Sequence, residues 1–385
     1  MDNGLEDRKV NGHGSLQFDS REEITMDKFK FLGAVSALAL GLVTSLTSVS
    51  AQESATIEEL TNGARDEGQL VVLLLHPTKS ENREKVMEAF KKRFDLDINI
   101  EWAPTHPTTL MSRLAVESAS GKFSGDVGQG SVDDLWPSVK KGYIASFNWE
   151  DSLGSDLPGI GSATTGVPGP MTNSVLSMFD LVYGLIWNPD FVEEADLPNK
   201  VSDLADKKWD GKIALNSYHI APVDYLNYEI GAQPTIDIVE GLLENSPVLK
   251  AGSGAVGAAV SAGEAAVGTG MAYATDLAID RGESLRFRPF SDYTPVLGMK
   301  VFVPEFAPNP NAARLFAAWF VTEGMALVGE DEHIGQLSNP DSAVGAKLVE
   351  QIEAAGSKVV SVSDVKQFDA LAEVRKVIDE KIAGQ

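Results

Sequence analysis

The chain has 385 residues, 32 basic and 56 acidic side chains, a formal net charge of −24 and no cysteine. A chain this acidic repels nucleic-acid phosphates, so we expect no nucleic-acid partner, and the lack of cysteine excludes disulfides, thiolate metal sites and cysteine nucleophiles. The hydrophobic content of 43% is typical of a globular protein, and a chain of this length usually forms about two domains.

The first fifty residues predict an exported protein. Residues 1–25 are polar and lack apolar periodicity, so we interpret them as an over-long, non-native N-terminal extension. From Met26 a short basic segment leads into an apolar run that ends in Val49-Ser50-Ala51, a small-x-small cleavage site. This pattern predicts a signal peptide over 26–51, cleaved after Ala51, and a periplasmic protein, with an uncleaved membrane anchor as the alternative.

The chain after the cleavage site begins with a β-α-β pattern. A capping box at Thr56 and Glu59 begins a helix, and the continuous apolar run 69–75 predicts a strand that is buried on both faces. A helix over 81–94 then leads to a second strand over 97–102. This order predicts a parallel sheet that is covered by helices.

Further elements follow in chain order, each inferred from apolar periodicity or turn residues. They are a helix over 108–119, a strand ending at Val127 with a loop over 128–131, a helix over 132–141, a surface loop over 154–173, β-prone runs over 174–187, 212–215 and 296–303, and a helix over 311–323.

Four segments carry a resemblance to a known family. They are Tyr183-Gly-Leu-Ile-Trp-Asn188, Trp209-Asp-Gly-Lys212, Gly263-Glu264 and the run from Ala307 to Trp319. Together, in this order and spacing, they resemble the substrate-binding proteins of ABC importers, in the branch that includes ferric-iron, thiamine and polyamine binders. Residues 326–385 carry no motif of that family.

The resemblance implies an α/β fold of the type II periplasmic-binding-protein class, with two lobes joined by two crossover hinge strands near 174–182 and 295–300. Lobe one would comprise 52–177 and 300–385, and lobe two would comprise 178–299, with the ligand cleft between them. The resemblance also implies that the protein is not an enzyme. It would be a monomer that captures a small solute and delivers it to an ABC permease in the inner membrane.

Candidate ligand-binding residues lie in the loops after the predicted strands, because ligands of open parallel sheets bind beyond the carboxyl ends of the strands. They are His76, Thr78, His106, Ser131, Ser217, Tyr218, His219, Tyr273 and Asp276. Structural roles are alternatives for several of them, since Asp276 would also serve as a helix cap. Trp102 and Trp136 would either contact an organic ligand or pack in the core.

The sequence leaves open whether the solute is ferric iron or a small organic molecule. Iron binders of the resembled group use adjacent tyrosines in lobe two, whereas here Tyr273 is followed by Ala274. A site formed by His76, Tyr218 or His219, and Tyr273 would hold ferric iron as cargo. No resident cofactor is expected.

Two other functions remain alternatives: a secreted hydrolase that uses a pair of carboxylates, and a two-lobed sensor or receptor protein. The string from Gly252 to Gly257 matches a dinucleotide-binding pattern. Because no buried strand precedes that string, we do not expect a dinucleotide site there.

Overall fold

The computed structural model describes residues 54–361 and 364–384 of the chain. The extension predicted over 1–25 and the signal peptide predicted over 26–51 lie outside the described residues. Within the described ranges, no helix is long and apolar enough to span a membrane.

Ten strands and thirteen α-helices lie in the described ranges. The strands are β1 (Gln69–Val72), β2 (Asn99–Trp102), β3 (Gly128–Ser131), β4 (Val175–Trp187), β5 (Ile213–Asn216), β6 (Val248–Lys250), β7 (Val267–Met271), β8 (Arg286–Arg288), β9 (Tyr293–Phe302) and β10 (Lys358–Ser361). The helices are α1 (Ile57–Glu67), α2 (Ser80–Phe94), α3 (Pro107–Ser118), α4 (Val132–Lys140), α5 (Trp149–Leu153), α6 (Ile160–Thr164), α7 (Asn227–Ile230), α8 (Ala232–Leu243), α9 (Ser253–Ser261), α10 (Ala272–Asp280), α11 (Pro310–Trp319), α12 (Ala343–Ala354) and α13 (Lys366–Ala383).

Lobe one is built around the short strands β1, β2 and β3. β1 and β2 are parallel neighbours, as the β-α-β pattern predicts. The capping box at Thr56 and Glu59 forms and begins α1, also as predicted. Residues 128–131 form β3 rather than the predicted loop, because their backbone pairs antiparallel with β9, a long-range contact that local sequence does not reveal.

Two long strands, β4 and β9, cross between the lobes at the predicted hinge positions. They pair antiparallel from Val175 opposite Phe302 to Val182 opposite Val296. β4 is buried along almost its whole length, which accounts for its continuous apolar sequence. β9 also pairs with β3 in lobe one, and β4 continues into lobe two, where it pairs with β7.

Lobe two contains β5, with β6 and β7 as parallel neighbours, and the helices that pack on them. The described residues form four clusters of buried apolar side chains. We call the largest, which includes Phe90, Phe316 and Trp319, the core of lobe one, and the next, which includes Leu215 and Leu242, the core of lobe two. Separate cores joined by two strands are the architecture expected for lobes that move about a hinge.

The C-terminal helix α13, which the sequence assigns to lobe one as part of 300–385, packs against both lobes. Phe368 and Leu371 of α13 join the core of lobe one, and Val374 and Ile378 join the core of lobe two. The lobe boundaries, including the assignment of 300–385 to lobe one, therefore stay a prediction. The physical reason for this packing is that one apolar stripe on α13 extends across both lobes.

Candidate functional site

His76 lies at the end of the buried segment that follows β1 and faces lobe two. Its imidazole is buried, with ring centroids 4.8 Å from Phe179 and 5.4 Å from Tyr273. Burial lowers the pKa of His76 to about 4, against an opposing effect from the negative charge of Glu332. The imidazole is therefore neutral at pH 7.

Gln129 on β3 defines which nitrogen of His76 carries the proton. Its amide oxygen accepts the backbone N–H of His76 at 3.2 Å, so its amide nitrogen faces Nδ1 of the imidazole, at 3.1 Å. Nδ1 is then the acceptor, and the proton lies on Nε2. Nε2 is buried and has no hydrogen-bonding partner among the described residues. His76 thus offers an unused N–H donor between the lobes.

Tyr273 supplies the facing side chain from lobe two. It is the second residue of α10, and burial, together with the charge of Glu332, raises the pKa of its hydroxyl to about 12. The phenol is therefore a neutral hydrogen-bonding group at pH 7. The contact between His76 and Tyr273 joins the two lobes at the position that the sequence analysis indicates for ligand binding.

Glu332 fixes the loop that follows His76, and sequence reasoning missed this residue. Its buried carboxylate accepts hydrogen bonds from the backbone N–H of Thr78 at 2.8 Å, from the Thr78 hydroxyl at 2.6 Å and from the backbone N–H of Lys79 at 3.0 Å. Asn82 donates to it as well, at 2.7 Å. Glu332 lies in the part of the chain without family motifs, so no local signal could have identified it.

A cavity of about 270 Å³ lies beside Tyr273 and is lined by both lobes. Lobe one contributes Thr78, and lobe two contributes the first turns of α9 and α10. The N-cap residues of these helices, Gly252 and Met271, make no side-chain capping hydrogen bond, so the first N–H groups of each helix lack a side-chain cap. Free N–H groups and the helix dipole both favour a negatively charged group at such a position.

The glycine string set aside as a dinucleotide pattern lines this cavity. Gly254 and Gly257 lie in α9, and apart from their chain neighbours and the backbone of the helix itself, no described atom comes within 4 Å of the position that a Cβ would occupy at either residue. A ligand can therefore approach the α9 backbone closely at this point.

Several predicted site residues have structural partners in this conformation. His106 caps α3 by accepting the backbone N–H of Thr108, and Ser131 caps α4. Asp276 does not cap a helix, because it lies within α10, where it forms an ion pair with Lys347. Whether these residues contact a ligand stays a prediction.

The loop after β5 is not brought to His76 and Tyr273. The Tyr218 side chain is 56% exposed, and His219 contacts Asp379 of α13 through Nδ1, at 2.8 Å. Ser217 donates its backbone N–H to Lys250. The set His76, Tyr218 and Tyr273 is therefore not assembled in this conformation, because β5 directs its loop towards α13.

The tryptophans considered as ligand contacts pack against the protein. Trp102 donates its indole N–H to the carbonyl of Leu74, and its ring lies 5.9 Å from that of Phe316. Trp136 packs edge-on against Phe368 of α13. The packing role is thus the one that the structure supports for both.

A second cluster between the lobes is charged. Arg375 of α13 donates to Asp224 in lobe two at 2.7 Å and to Asp133 in lobe one at 3.0 Å. Its guanidinium lies over the Tyr225 ring, 5.1 Å from the centroid. Tyr225 stacks on Tyr228, with ring centroids 6.2 Å apart.

Comparison with known proteins shows the fold. No family model and no curated protein matches the chain. Among solved structures, iron-bound HitA from Pseudomonas aeruginosa matches with a TM-score of 0.61 at 17% identity, over 82% of this chain and 99% of that one. The chain has the type II periplasmic-binding-protein fold. This confirms the predicted fold class.

Two further solved structures give the same result. A substrate-binding protein of an ABC transporter from Agrobacterium tumefaciens matches with a TM-score of 0.64 at 18% identity, over 82% of this chain and 96% of that one. The periplasmic binding protein AfuA from Actinobacillus pleuropneumoniae, with fructose-6-phosphate bound, matches with a TM-score of 0.61 at 16% identity, over 81% and 96% of the two chains.

Proposed function

We propose that this protein is the periplasmic solute-binding component of an ABC importer. It is exported by the predicted signal peptide, closes its two lobes on a small solute as a monomer, and delivers the solute to a permease in the inner membrane. The observation that carries the proposal is the contact of His76 with Tyr273 across the lobes, beside a cavity that both lobes line. A ligand that touches both lobes shifts the population towards the closed form.

The solute is a small organic molecule with a negatively charged group. Three kinds of donor support this class: the unused Nε2–H of His76, the phenol of Tyr273 and the uncapped N-termini of α9 and α10. Each donor is neutral, so together they favour an anion without placing a buried positive charge in the site. The similar protein AfuA has fructose-6-phosphate bound, a solute of this class.

Ferric iron is the second candidate, because a buried imidazole beside a tyrosine supplies two of the ligand types that transition metals accept. The similar protein HitA binds iron. Iron binding here would require the proton to leave Nε2 of His76, which would disturb both hydrogen bonds to Gln129. Among the described residues, no group of three or more His, Asp or Glu side chains forms a metal site.

This function requires no covalent chemistry, which distinguishes it from the hydrolase alternative. The buried acids Asp133 and Asp224 share the cation Arg375, so they are ion-pair partners rather than a free acid and base. The sensor alternative would use the same cleft. It differs only in the membrane partner, which pull-down with a candidate permease would identify.

Native mass spectrometry of freshly purified residues 52–385, compared with the denatured mass, tests the proposal. We expect a mass excess of one small organic molecule that is lost on denaturation. An excess of one iron atom would replace the organic solute with the second candidate. A bare mass would be followed by a screen of anionic metabolites by thermal shift, and no stabilising compound in that screen would contradict the proposal.

Two variants test the site itself. His76→Ala and Tyr273→Phe should each weaken binding of the identified solute by about 10–100-fold, the expected effect of losing one hydrogen bond to a charged group. Tyr218→Phe is the matched control, because it removes a hydroxyl from an exposed tyrosine. Unchanged affinity in His76→Ala and Tyr273→Phe, with normal melting, would contradict the site assignment.

A further inference from the structure

The C-terminal helix α13 packs one apolar stripe into two different cores. Phe368 and Leu371 enter the core of lobe one, and Val374 and Ile378 enter the core of lobe two. Their spacing of three, three and four residues places all four on one face of the helix. Helix α13 therefore contacts both lobes. It lies within residues 326–385, the part of the chain that carries no family motif.

Polar contacts at the two ends of α13 follow the same division. Asp369, near its start, lies 3.8 Å from the amino group of Lys140 in lobe one. Lys381, near its end, pairs with Glu240 in lobe two. Movement of the lobes away from each other would break one set of contacts or the other.

Arg375 lies between these two ends and binds an acid from each lobe. Its Nε donates to Asp224 of lobe two, and its Nη1 donates to Asp133 of lobe one. The Asp224 side chain is fully buried, and the Asp133 side chain is 4% exposed. Buried carboxylates of this kind are strongly destabilising unless a cation accompanies them.

The cluster has capacity for a ligand beyond its two ion pairs. Oδ1 of Asp224 and the hydroxyl of Tyr228 are buried, and neither has a hydrogen-bonding partner among the described residues. A groove of about 610 Å³ along α13, lined by Asp133 and Arg375 among others, leads to the cluster. Because Arg375 itself lines the groove, removal of its side chain would open the cluster to a small cation from solution.

We propose that Asp133, Asp224 and the Tyr225 ring form a guanidinium-binding seat between the lobes. Arg375 is its built-in ligand, through which α13 straps the lobes together in the absence of solute. These groups favour a guanidinium over other cations. Its planar set of N–H groups donates to two carboxylates at once, while its face stacks on an aromatic ring. A compact ammonium ion lacks that geometry.

This inference goes beyond the proposed function, since the strap acts without solute. A strap of this kind sets the population of the closed form before binding, so it also sets how much of the solute's binding energy is needed for closure. None of the seat residues lines the solute cavity.

Energy transfer between two dyes tests the strap directly. Because the chain has no cysteine, two introduced cysteines are the only thiols that the dyes can label. Val116→Cys in lobe one and Glu194→Cys in lobe two, labelled with a donor–acceptor dye pair, report the lobe separation in solute-free residues 52–385. Arg375→Ala should lower the transfer efficiency and the midpoint of urea unfolding. Lys376→Ala, the matched control, removes a positive charge from the exposed neighbouring position and should leave both unchanged.

Chemical rescue separates a seat from a merely structural arginine. Millimolar methylguanidinium should restore most of the lost transfer efficiency and stability of Arg375→Ala, whereas tetramethylammonium at the same concentration should restore neither. If Arg375→Ala does not fold alone, methylguanidinium should rescue its refolding. Arg375→Lys is the second variant, and we expect it to be intermediate because its charge remains without the fork.

Three results would overturn the proposal: an unchanged lobe separation in Arg375→Ala, equal rescue by both cations, or wild-type behaviour of Arg375→Lys. All of these measurements are made without solute. A failure of the strap is therefore distinguishable from a failure of the proposed function, which the native mass and the His76 and Tyr273 variants test.

Discussion

The lobes of this protein meet at two places that are built in opposite ways. At one, neutral aromatic side chains meet, with the His76 imidazole against the rings of Phe179 and Tyr273, and a cavity beside them offers free donors. At the other, the acids of both lobes are joined by Arg375 from a helix that packs into both cores. We call these the aromatic contact and the strap contact.

The difference indicates separate roles for the two contacts. The aromatic contact leaves hydrogen-bonding capacity unused. Under the proposed function a solute would satisfy that capacity, so the contribution of this contact to closure would depend on the solute. The strap contact supplies its own cation and its own apolar surface, so its contribution is present at all times. The first would provide specificity, and the second would set the resting equilibrium on which the solute acts.

The largest expected loss of unfolding free energy comes from removing an apolar side chain of the strap contact. Phe368→Ala removes a buried ring from the core of lobe one and should lower the free energy of unfolding by about 3–5 kcal/mol. Val359→Ala is the control, because Val359 is 43% exposed on the neighbouring strand β10. Urea denaturation measures both. A small loss in Phe368→Ala, similar to the control, would show that α13 is only loosely attached to lobe one.

Much of the fold could be predicted from local sequence, for reasons that individual elements illustrate. The apolar run of β4 predicted a buried strand because both of its faces are covered. The run over 69–75 predicted β1, but this strand ends at Val72 and buries only one face, with Leu70 and Val72 buried and Gln69 exposed. The capping box at Thr56 predicted the start of α1 because its hydrogen bonds are made within four residues. By contrast, β3 was predicted as a loop, since only its pairing with β9 makes it a strand.

The candidate site was predicted only in part, because its remaining contacts link distant residues. His76 and Tyr273 were found from their positions at the ends of strands, and the structure brings them together. Glu332 was missed, since it binds the Thr78 loop across 254 residues of sequence. Arg375 was missed for the same reason, as its partners are fixed by tertiary packing and not by any local motif.

An effect of intermediate size is the pH dependence of the unfolding free energy, which arises from His76 in the aromatic contact. The pKa of His76 is lowered by burial to about 4 in the folded protein, from an ordinary value of about 6.5. The unfolded chain therefore binds a proton that the folded protein does not, and stability is lost as pH falls from about 6.5 to about 4. This single group accounts for a loss of about 3 kcal/mol over that range.

The variant His76→Gln isolates this effect. Urea denaturation at several pH values should show that the difference in unfolding free energy between wild type and variant shrinks on acidification, because the variant has no imidazole to protonate. Above pH 7 the difference should be constant. A difference that stays constant down to pH 4 would show that the imidazole is solvated, and that the aromatic contact is not a neutral, buried one.

The smallest expected loss of unfolding free energy comes from Ser131, which positions Asp133 of the strap contact. The Ser131 hydroxyl caps α4 by accepting the backbone N–H of Asp134, and it donates to Asp133 at 2.6 Å. Ser131→Ala should therefore lower the unfolding free energy by about 1 kcal/mol, the usual effect of losing a helix cap. Ser80→Ala, at the start of α2, is the control, since Ser80 is exposed and is not the capping residue of that helix.

A readout beyond stability shows whether this cap also serves the strap. The hydroxyl of Ser131 binds one oxygen of Asp133, and Arg375 binds the other, so the cap orients the carboxylate towards α13. If that orientation matters, Ser131→Ala should lower the interlobe transfer efficiency in the same direction as Arg375→Ala, but by less. A stability loss of the expected size with an unchanged lobe separation would limit Ser131 to capping α4, and would leave Arg375 to align the two acids by itself.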